Sequence, residues 1–200
     1  MSDKRWIVAV TGASGAPYAV RLLSALVELE VAADVVVSAH GWRLFAHETG
    51  IGSEDELVAA TGGRGLLDFY DNDDRGARPA SGSAPYIGQV ICPCSMGTLS
   101  AIAHGSSRSL VERAADVTLK ERRKLVAVVR ETPLSAIHLE NMLRLAQLGA
   151  VIMPASPGFY HDPGQIGDLV DFVVARVLDH MDVDHAVGYR WTGEEESRDG

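Results

Sequence analysis

The sequence predicts an α/β fold, in which helices cover both faces of a parallel sheet. Residues 6–10 form an unbroken apolar run, which is typical of a strand buried on both faces. A turn of small residues follows this run, and then a helix-like segment at residues 16–30. Further apolar runs at residues 125–129 and 149–154 flank another helical segment at residues 135–147. Strands that alternate with helices in this way indicate parallel strands joined by helical crossovers.

Length, composition and charge limit the class of protein. With 200 residues, 46% of them hydrophobic, the chain fits a single domain with a substantial core. We expect that domain to span residues 1–191, and the polar residues 192–200 to form a disordered tail. The net charge of −9 argues against a general binder of nucleic acid or anionic membranes, because both require a basic protein surface.

The sequence also predicts a cytoplasmic protein that holds no metal. No apolar run reaches the roughly 18 residues of a membrane-spanning helix, and the first residues do not resemble a secretory signal. Cys92 and Cys94 flank Pro93 at the end of a predicted strand, where neighbouring side chains do not easily form a disulfide. We interpret both as buried thiols in a reducing compartment, because Cys-x-Cys alone is a poor zinc signature. The seven histidines show no metal-ligand spacing.

The turn after the first strand is the first candidate binding site. Gly12 and Gly15 allow a tight turn and the close approach of a ligand, because neither residue carries a Cβ. Free N–H groups at the start of the following helix favour an anion or a polar oxygen. The Gly-x-x-Gly spacing is neither the dinucleotide fingerprint nor a P-loop. An ordinary strand–helix turn without a ligand is therefore the alternative.

Two other strand ends place polar groups at the same edge of the predicted sheet. Ser38 ends a predicted strand at residues 34–38. Residues 95–98 follow a strand at residues 89–93 and precede a helix predicted from about Leu99. The carboxyl ends of parallel strands face the ligand crevice, so these groups predict a second hydrogen-bonding cradle.

Two segments between these strands each have two interpretations. A helical stretch at residues 41–49 carries Glu48, which is either a general acid–base or a solvated helix residue. Residues 61–85 form a long segment rich in Gly, Asp, Ser and Pro, which is typical of a lid or a binding loop, with residues 79–83 as a candidate cover for a ligand. The acidic residues 71–74 suggest magnesium, but a solvated loop is the better interpretation because no second acidic cluster accompanies them.

A basic segment interrupts this acidic chain between residues 108 and 130. It contains seven of the 18 Lys and Arg residues against three acidic residues. Arg113 and Lys120 are seven residues apart and would share one face of a helix, and Arg130 ends the apolar strand at residues 125–129. Guanidinium and ammonium groups form charge-assisted hydrogen bonds to phosphate, so the segment predicts a phosphate site. A solvated basic helix face is the alternative.

Seven motifs, spread over about residues 6–191, occur together in this chain. They are Thr-Gly-Ala-Ser-Gly (11–15), Glu-Thr (48–49), Cys-Pro-Cys-Ser-Met-Gly-Thr-Leu-Ser (92–100), Glu-Arg-Ala-Ala-Asp-Val-Thr-Leu-Lys-Glu-Arg-Arg (112–123), Val-Arg-Glu-Thr-Pro-Leu (129–134), His-Leu-Glu-Asn-Met (138–142) and Gly-Ala-Val-Ile-Met-Pro-Ala-Ser-Pro-Gly-Phe-Tyr-His (149–161). In this combination the sequence resembles the UbiX-like flavin prenyltransferases, within the flavin-dependent cysteine-decarboxylase superfamily.

The resemblance implies a fold, a reaction and an assembly. The fold would be a Rossmann-like (flavodoxin-like) three-layer α/β/α sandwich with a parallel sheet. The reaction would transfer the dimethylallyl group of dimethylallyl monophosphate to N5 and C6 of reduced FMN, with release of phosphate. The product, prenylated FMN, would serve a UbiD-type decarboxylase. The family assembles as a homododecamer, so sites shared between subunits are expected.

The resemblance also implies roles for individual residues. Glu48 would be the proton-transfer residue, with Ser14 nearby. FMN is expected to contact a set of small and polar residues at the strand ends: Gly12, Ala13, Ser14, Ser38, Ser95, Met96, Gly97, Thr98 and Arg130. The prenyl phosphate is expected to contact mainly charged residues, some from neighbouring subunits: Arg113, Lys120, Arg130, Glu131, Tyr160 and Arg176. Trp191 would belong to the aromatic wall beside the prenyl group.

Two rival functions share this fold, and two positions depart from the family pattern. A flavin-dependent cysteine decarboxylase would carry a Pro-Ala-Met-Asn-type motif, whereas residues 154–157 read Pro-Ala-Ser-Pro. A non-enzymatic FMN carrier would not need phosphate-binding residues beyond the FMN site. The departures are Lys124, where the family usually has Pro, and residues 108–109, where Asp-Asn is common. The second departure lies in a loop expected near the phosphate.

Overall fold

The structure is a computed structural model that describes residues 4–190. Six strands of this range form one sheet: β1 (Arg5–Val10), β2 (Ala33–Val37), β3 (Leu67–Tyr70), β4 (Tyr86–Cys94), β5 (Lys124–Val129) and β6 (Val151–Pro154). The α-helices between and after them are α1 (Ala16–Glu28), α2 (Ala39–Thr49), α3 (Glu54–Thr61), α4 (Met96–Ala103), α5 (Leu110–Lys120), α6 (Ala136–Gln147) and α7 (Ile166–His180).

The sheet is parallel throughout, in the order β3-β2-β1-β4-β5-β6. This is the strand order of the Rossmann doubly wound fold, in which the chain reverses its direction of winding between β1 and β4. In such sheets a ligand crevice opens at this reversal, outside the carboxyl ends of the strands. The loops that follow β1 and β4 therefore border the expected binding site.

Helices cover both faces of the sheet, as the apolar runs predict. Val8 and Val10 of β1 pack in a core with α1, α2, α3 and α7 on one face. Ala9, which points to the opposite face, packs in a second core with α4, α5 and α6. The predicted three-layer α/β/α sandwich is confirmed, and its central strands are apolar on both sides because both sides are buried.

Two helix starts differ from the sequence-based expectation. Helix α3 was not predicted, although the hydroxyl of Ser53 caps it by accepting the N–H of Glu56 at 3.2 Å. Helix α4 begins at Met96 rather than near Leu99, because the hydroxyl of Ser95 accepts the N–H of Thr98 at 3.3 Å and so starts the helix at the strand end.

Residues 79–83 do not cover the crevice. The carbonyl of Gly82 accepts a 2.6 Å hydrogen bond from Arg123, which directly precedes β5, so residues 79–83 lie at the amino edge of the sheet, opposite the crevice. In the acidic stretch, Asp71 and Asp74 accept N–H groups two residues further on, as in ordinary turns. Asn72 accepts the N–H groups of the first two residues of α5. This stretch therefore matches the solvated-loop interpretation.

Several expectations concern the ends of the chain and its location. That residues 1–191 form a single domain stays a prediction. Trp191 and the predicted tail at residues 192–200 lie outside the described residues. In the described range, no helix combines the length and hydropathy required to cross a membrane.

Cys92 and Cys94 are buried free thiols, and burial raises the pKa of each to about 12.

Candidate active site at the carboxyl edge of the sheet

A buried threonine joins the loops that follow β1 and β4. The hydroxyl of Thr11 donates to the carbonyl of Pro93 at 2.9 Å and accepts the N–H of Ser95 at 2.8 Å. The backbone N–H of Thr11 donates to the same carbonyl at 3.2 Å. Because Thr11 is almost fully buried, these bonds are shielded from water and hold the two loops together at the reversal point.

Glu48, near the end of α2, caps the start of α1. Its Oε2 accepts the N–H of Gly15 at 2.9 Å and the N–H of Ala16 at 2.8 Å. Gly15 has a φ of +132°, a backbone conformation that favours glycine, and no side chain of α1 itself caps this helix. A carboxylate also suits the positive end of the helix dipole. The turn at Gly15 thus holds Glu48 at the crevice.

The surroundings of Glu48 keep it ionised. Partial burial alone would raise the pKa of Glu48. The two backbone N–H groups at the start of α1 and the hydroxyl of Ser14 outweigh that effect, with a further contribution from the charge of Arg130. The pKa of Glu48 therefore lies below the ordinary value of a glutamate, and at neutral pH the side chain is a carboxylate that can accept a proton.

Arg130 reaches the same place from the carboxyl end of β5. Its Nε donates to the carbonyl of Ser14 at 3.0 Å, and its backbone N–H lies 3.4 Å from the carbonyl of Cys94. In the described part of the chain, the guanidinium has no other hydrogen-bond partner. The terminal Nη groups thus remain available for an anion next to Glu48.

The residues expected to contact FMN lie at the carboxyl ends of β1, β2, β4 and β5. The hydroxyl of Ser38 accepts the N–H of Gly41 at 3.1 Å, and Ser95 caps α4. The side chains of Ala13 and Met96 are buried, so these residues can offer a ligand only their backbone groups. Helix geometry leaves the first N–H groups of α4, at Met96 and Gly97, without an intrahelical partner.

Gly12 borders a cavity of about 590 Å³ that the sequence analysis did not identify. The cavity lies beside α2 and is lined in addition by polar and apolar side chains of that helix: His40, Arg43, Leu44, Ala46 and His47. A Cβ on Gly12 would lie only 2.6 Å from the Cβ of His40, so the close approach of the turn to α2 requires glycine. The sequence feature that could have indicated this cavity is that helix α2 begins directly after Ser38, at the carboxyl end of a strand.

Several residues expected at the prenyl phosphate are far apart within one chain. Helix α5 runs back from the carboxyl edge, so Arg113 lies in its second turn and Lys120 at its last residue, next to the amino edge where β5 begins. Arg176 lies in the last turns of α7, on the opposite face of the sheet. Each of the three is paired with a neighbouring acid: Asp116, Glu121 and Asp179.

Tyr160 and Glu131 are exposed at the carboxyl edge. Tyr160 lies in the loop between β6 and α7, where its ring packs edge-on against the rings of Phe172 and Tyr189, with centroids 5.9 and 6.0 Å away. Glu131 directly follows Arg130, and its side chain accepts the N–H of Thr132 at 3.1 Å. Trp191 lies outside the described residues. In one chain, then, the residues expected to contact FMN lie together with Glu48, whereas Lys120 and Arg176 lie elsewhere.

The charged groups at this edge are not arranged as a metal site. Over residues 4–190, no three His, Cys, Asp or Glu side chains lie close enough together to hold a metal ion. Glu48 and Arg130 are two groups of opposite charge at the crevice, and they are joined through the turn at Ser14. A carboxylate next to a guanidinium suits proton transfer beside an anion.

The chain is similar over nearly its whole length to proteins of one known family. The Flavoprotein family matches residues 1–178. The flavin prenyltransferase UbiX of Halalkalibacterium halodurans is 48% identical over 196 residues, which cover 95% of this chain and 94% of that protein. The crystal structure of AnUbiX (PadA1) in complex with FMN and dimethylallyl pyrophosphate is 42% identical, with a TM-score of 0.89, and covers 96% of this chain and 99% of that one.

A third relative is a dodecameric FMN-dependent UbiX-like decarboxylase from Escherichia coli O157:H7. It is 43% identical, with a TM-score of 0.88, and covers 94% of this chain and all of the other. Such identity over nearly the full length of both chains, together with the parallel sheet and the polar loops at its reversal point, shows the family. The chain belongs to the Flavoprotein family and, within it, to the UbiX flavin prenyltransferases.

Proposed function

We propose that this chain joins the dimethylallyl group of dimethylallyl monophosphate to N5 and C6 of reduced FMN and releases phosphate. The observation that carries the proposal is the ionised carboxylate of Glu48, held at the start of α1 within the electrostatic reach of Arg130. The ring closure at C6 requires a proton acceptor, and departure of phosphate requires fixed positive charge. This edge of the sheet offers both groups.

The residues at the crevice fit a flavin mononucleotide. The free N–H groups at the start of α4 and the hydroxyls of Ser38 and Ser95 suit a phosphate and a polyol. The cavity beside Gly12 lies within the size range of ligand pockets. Bound reduced FMN would supply the two nucleophilic ring positions of the reaction.

In the proposed reaction, the chain's own residues handle a proton and a leaving group. The bond to N5 forms as the C–O bond to phosphate breaks and N5 loses its proton, and the bond to C6 forms as the allylic double bond gains a proton at its middle carbon. Glu48 accepts the proton that C6 then loses when the flavin ring regains aromaticity, so that of the two protons released one is taken up by the prenyl carbon and the other leaves with phosphate. Ser14, which hydrogen-bonds to Glu48, holds the carboxylate in place. Arg130, together with the other cations of the prenyl-phosphate set, stabilises the departing phosphate as a preorganised electrostatic site. The face of the Tyr160 ring favours an allylic centre with cationic character.

The complete site, in this proposal, requires more than one copy of the chain. Lys120 and Arg176 lie far from Arg130 within one subunit, so a phosphate could meet all three only across a subunit interface. Helix α6 supports such an assembly, because it buries only Asn141 and Leu145 within the chain. Its exposed apolar side chains, with those of the flanking segments, are Leu134, Ile137, Leu139, Leu143 and Leu148. We propose a dodecamer, the assembly of the relative from E. coli.

Two further parts of the proposal concern the partner and the location. The prenylated FMN would be passed to a UbiD-type decarboxylase, which would use it as a cofactor. We also propose that the protein works in the cytoplasm, since its two cysteines are free thiols buried in β4, as is common in a reducing compartment.

The experiment is an anaerobic incubation of the protein with reduced FMN and dimethylallyl monophosphate, followed by an assay of released phosphate. We expect phosphate release that depends on both substrates and is unaffected by a chelator such as EDTA, because cationic side chains stabilise the leaving group. A parallel reaction with oxidised FMN and a peptide ending in cysteine tests the decarboxylase alternative. Carbon dioxide from the peptide, without phosphate release from the prenyl donor, would overturn the proposal.

A further inference from the structure

Asp179, near the end of α7, is the acceptor for three donors. Its Oδ2 accepts from Nη1 of Arg176 at 2.7 Å. Its Oδ1 accepts from Nη2 of Arg190 at 2.9 Å and from Nε2 of His185 at 3.2 Å. The Asp179 side chain is only 24% exposed and the His185 side chain is fully buried, so this is not an open surface contact.

The network around Asp179 has a defined set of donors. Nδ1 of His185 accepts the N–H of Val187 at 3.1 Å, so in the neutral ring Nε2 carries the proton and donates to Asp179; Nη2 of Arg190 lies 3.0 Å from the same Nε2. Partial burial alone would raise the pKa of Asp179, but the bonds from Arg190 and His185 and the charges of both arginines lower it. Asp179 is therefore an ionised acceptor at neutral pH.

The segment of residues 185–190 also contacts the loop that carries Tyr160. The ring of Tyr189 stacks on the ring of His161, with centroids 5.8 Å apart and planes at 17°, and packs edge-on against Tyr160 at 6.0 Å. One short segment thus touches Tyr160 at one point and reaches Arg176 through Asp179 at another. Of the residues expected at the prenyl phosphate, Tyr160 and Arg176 are the two that follow β6.

The pairing of Arg176 leaves part of its guanidinium for a ligand. Asp179 occupies Nη1, and for residues 4–190 the structure gives Arg176 no other hydrogen-bond partner. The Nε and Nη2 groups are free to hold a phosphate in the forked geometry that guanidinium groups favour. A long arginine side chain that is more than half exposed would otherwise sample many rotamers, and a carboxylate that holds one end reduces that freedom.

We propose that Asp179 is a positioning residue of the prenyl-phosphate site, which fixes the guanidinium of Arg176 and the segment of residues 185–190 to each other. This inference rests on the proposed function, because that function makes Arg176 a phosphate ligand. Asp179 acts through Arg176 and does not touch the substrate. A carboxylate that merely neutralised Arg176 would weaken phosphate binding, so its removal would raise the phosphate affinity. A carboxylate that positions Arg176 strengthens phosphate binding, so its removal would lower that affinity.

The test compares the FMN-loaded oligomer of the wild type with that of Asp179→Asn, which keeps the shape and removes the charge. Binding of inorganic phosphate is measured by isothermal titration calorimetry, and exchange of the amides of residues 185–190 by hydrogen–deuterium mass spectrometry. We expect phosphate affinity to fall about tenfold, by analogy with groups that orient metal-ligating residues, whose loss costs about tenfold or more in affinity. We expect exchange in the segment to become about tenfold faster, since one of its anchors is lost.

Two further variants separate positioning from a general loss of structure. Asp182→Asn removes a carboxylate that pairs with Lys124 beyond the end of α7, at a residue with a φ of +54° that asparagine tolerates. It should leave both readouts at the wild-type value. Arg190→Gln removes one of the two bonds between Asp179 and the segment, at an exposed side chain, and leaves the bond from His185. It should speed exchange of residues 185–190 and lower phosphate affinity less than Asp179→Asn does.

The outcomes are distinct. Unchanged or tighter phosphate binding by Asp179→Asn, or wild-type exchange in its residues 185–190, would overturn the inference. An equal loss of FMN affinity would also overturn it, because it would mark a general structural role. If the wild type binds phosphate and Asp179→Asn weakens it but neither forms prenylated flavin, the inference stands and the proposed reaction fails. In an active enzyme, the KM for dimethylallyl monophosphate should rise in Asp179→Asn with little change in kcat.

Discussion

At Glu48, one carboxylate oxygen accepts two backbone N–H groups, so this residue stabilises the start of α1 as well as carrying charge into the crevice. A structural helix cap alone would explain these contacts. The neighbouring Arg130 and the hydroxyl of Ser14 argue for a chemical role in addition, because a cap needs neither group. The two roles can be separated by a substitution that keeps an acceptor oxygen and removes the charge.

We predict that Glu48→Gln binds FMN as the wild type does but forms product about 10²-fold or more slowly, because an amide cannot accept the proton. Flavin fluorescence measures binding, and single-turnover kinetics measure product formation. Glu56→Gln is the matched control, since Oε2 of Glu56 also accepts a backbone N–H, that of Gly52 at 2.6 Å, away from the crevice. Wild-type turnover in Glu48→Gln would remove Glu48 from the mechanism.

Thr11 was part of a recognised motif, but its role came only from the structure. We predict that Thr11→Val lowers the free energy of unfolding by about 1–3 kcal/mol, because the N–H of Ser95 then lacks its acceptor. Urea unfolding of the FMN-free protein measures this value. Thr132→Val removes an exposed hydroxyl that bonds the adjacent carbonyl of Glu131 and should change stability by less than about 0.5 kcal/mol. Equal effects of the two variants would contradict the assigned role of Thr11.

At the scale of elements, helix α4 begins with an exposed glycine that local packing does not require. A Cβ on Gly97 would meet nothing within 4 Å. We predict that Gly97→Ala makes the FMN-free protein equally stable or more stable, by up to about 1 kcal/mol, because alanine favours the helix. It should nevertheless weaken FMN binding, since the flavin would approach the backbone at this point.

The control for this change is Gly167→Ala. Gly167 is also the second residue of its helix, α7, and a Cβ there would meet only Gln165 at 3.8–4.0 Å. Thermal unfolding without flavin and FMN titration should show a similar gain in stability but unchanged FMN affinity for Gly167→Ala. If Gly97→Ala bound FMN with wild-type affinity, the start of α4 would not be a flavin contact.

The elements that could be predicted from the sequence are those with strong local signals. The apolar runs of β1 and β5 and the amphipathic helices were found because both their pattern and their length are distinctive. Helix α3 was missed although Ser53 and Glu56 offered a capping signal, because its short apolar face is weak. Residues 79–83 were misplaced since composition reports a loop but not the edge of the sheet at which it lies.

Within the candidate site, local sequence could identify the glycine turn, Ser38, Ser95 and Arg130, because strand ends can be located by pattern. It could not show that Glu48 caps α1, since that contact joins residues 33 positions apart. The network around Asp179 was missed for the same reason, because Arg190 contacts Asp179 only where the end of the chain folds back against α7. Contacts across such distances are set by tertiary packing rather than by local propensity.

At the scale of the whole molecule, the active site should belong to the oligomer. We predict that Lys120→Ala and Arg130→Ala chains are each nearly inactive alone but recover activity when co-expressed in mixed oligomers. If the two residues at a site come from different subunits, random mixing leaves about a quarter of the sites intact. Prenylated flavin formed per oligomer measures the recovery. Mixed oligomers no more active than either parent would indicate that the two residues do not share a site across an interface.

The apolar residues of α6 give a physical reason to expect that the chain assembles and that its activity depends on assembly. A single chain leaves Ile137 and Leu143 more than half exposed, which is unfavourable unless another surface covers them. The same assembly would bring the cations of α5 and α7 toward the carboxyl edge of a neighbouring sheet. The sequence of one chain contains these residues, but only the interface between chains would place them together.

The most direct test of the central claim is the mass of the flavin after turnover. The protein is incubated without oxygen with reduced FMN and dimethylallyl monophosphate, and the flavin is then released and analysed by mass spectrometry. The account predicts a flavin heavier by one dimethylallyl unit, formed in the same amount as the released phosphate and strongly reduced in Glu48→Gln. A flavin of unchanged mass in the assembled, FMN-binding wild type would contradict the account.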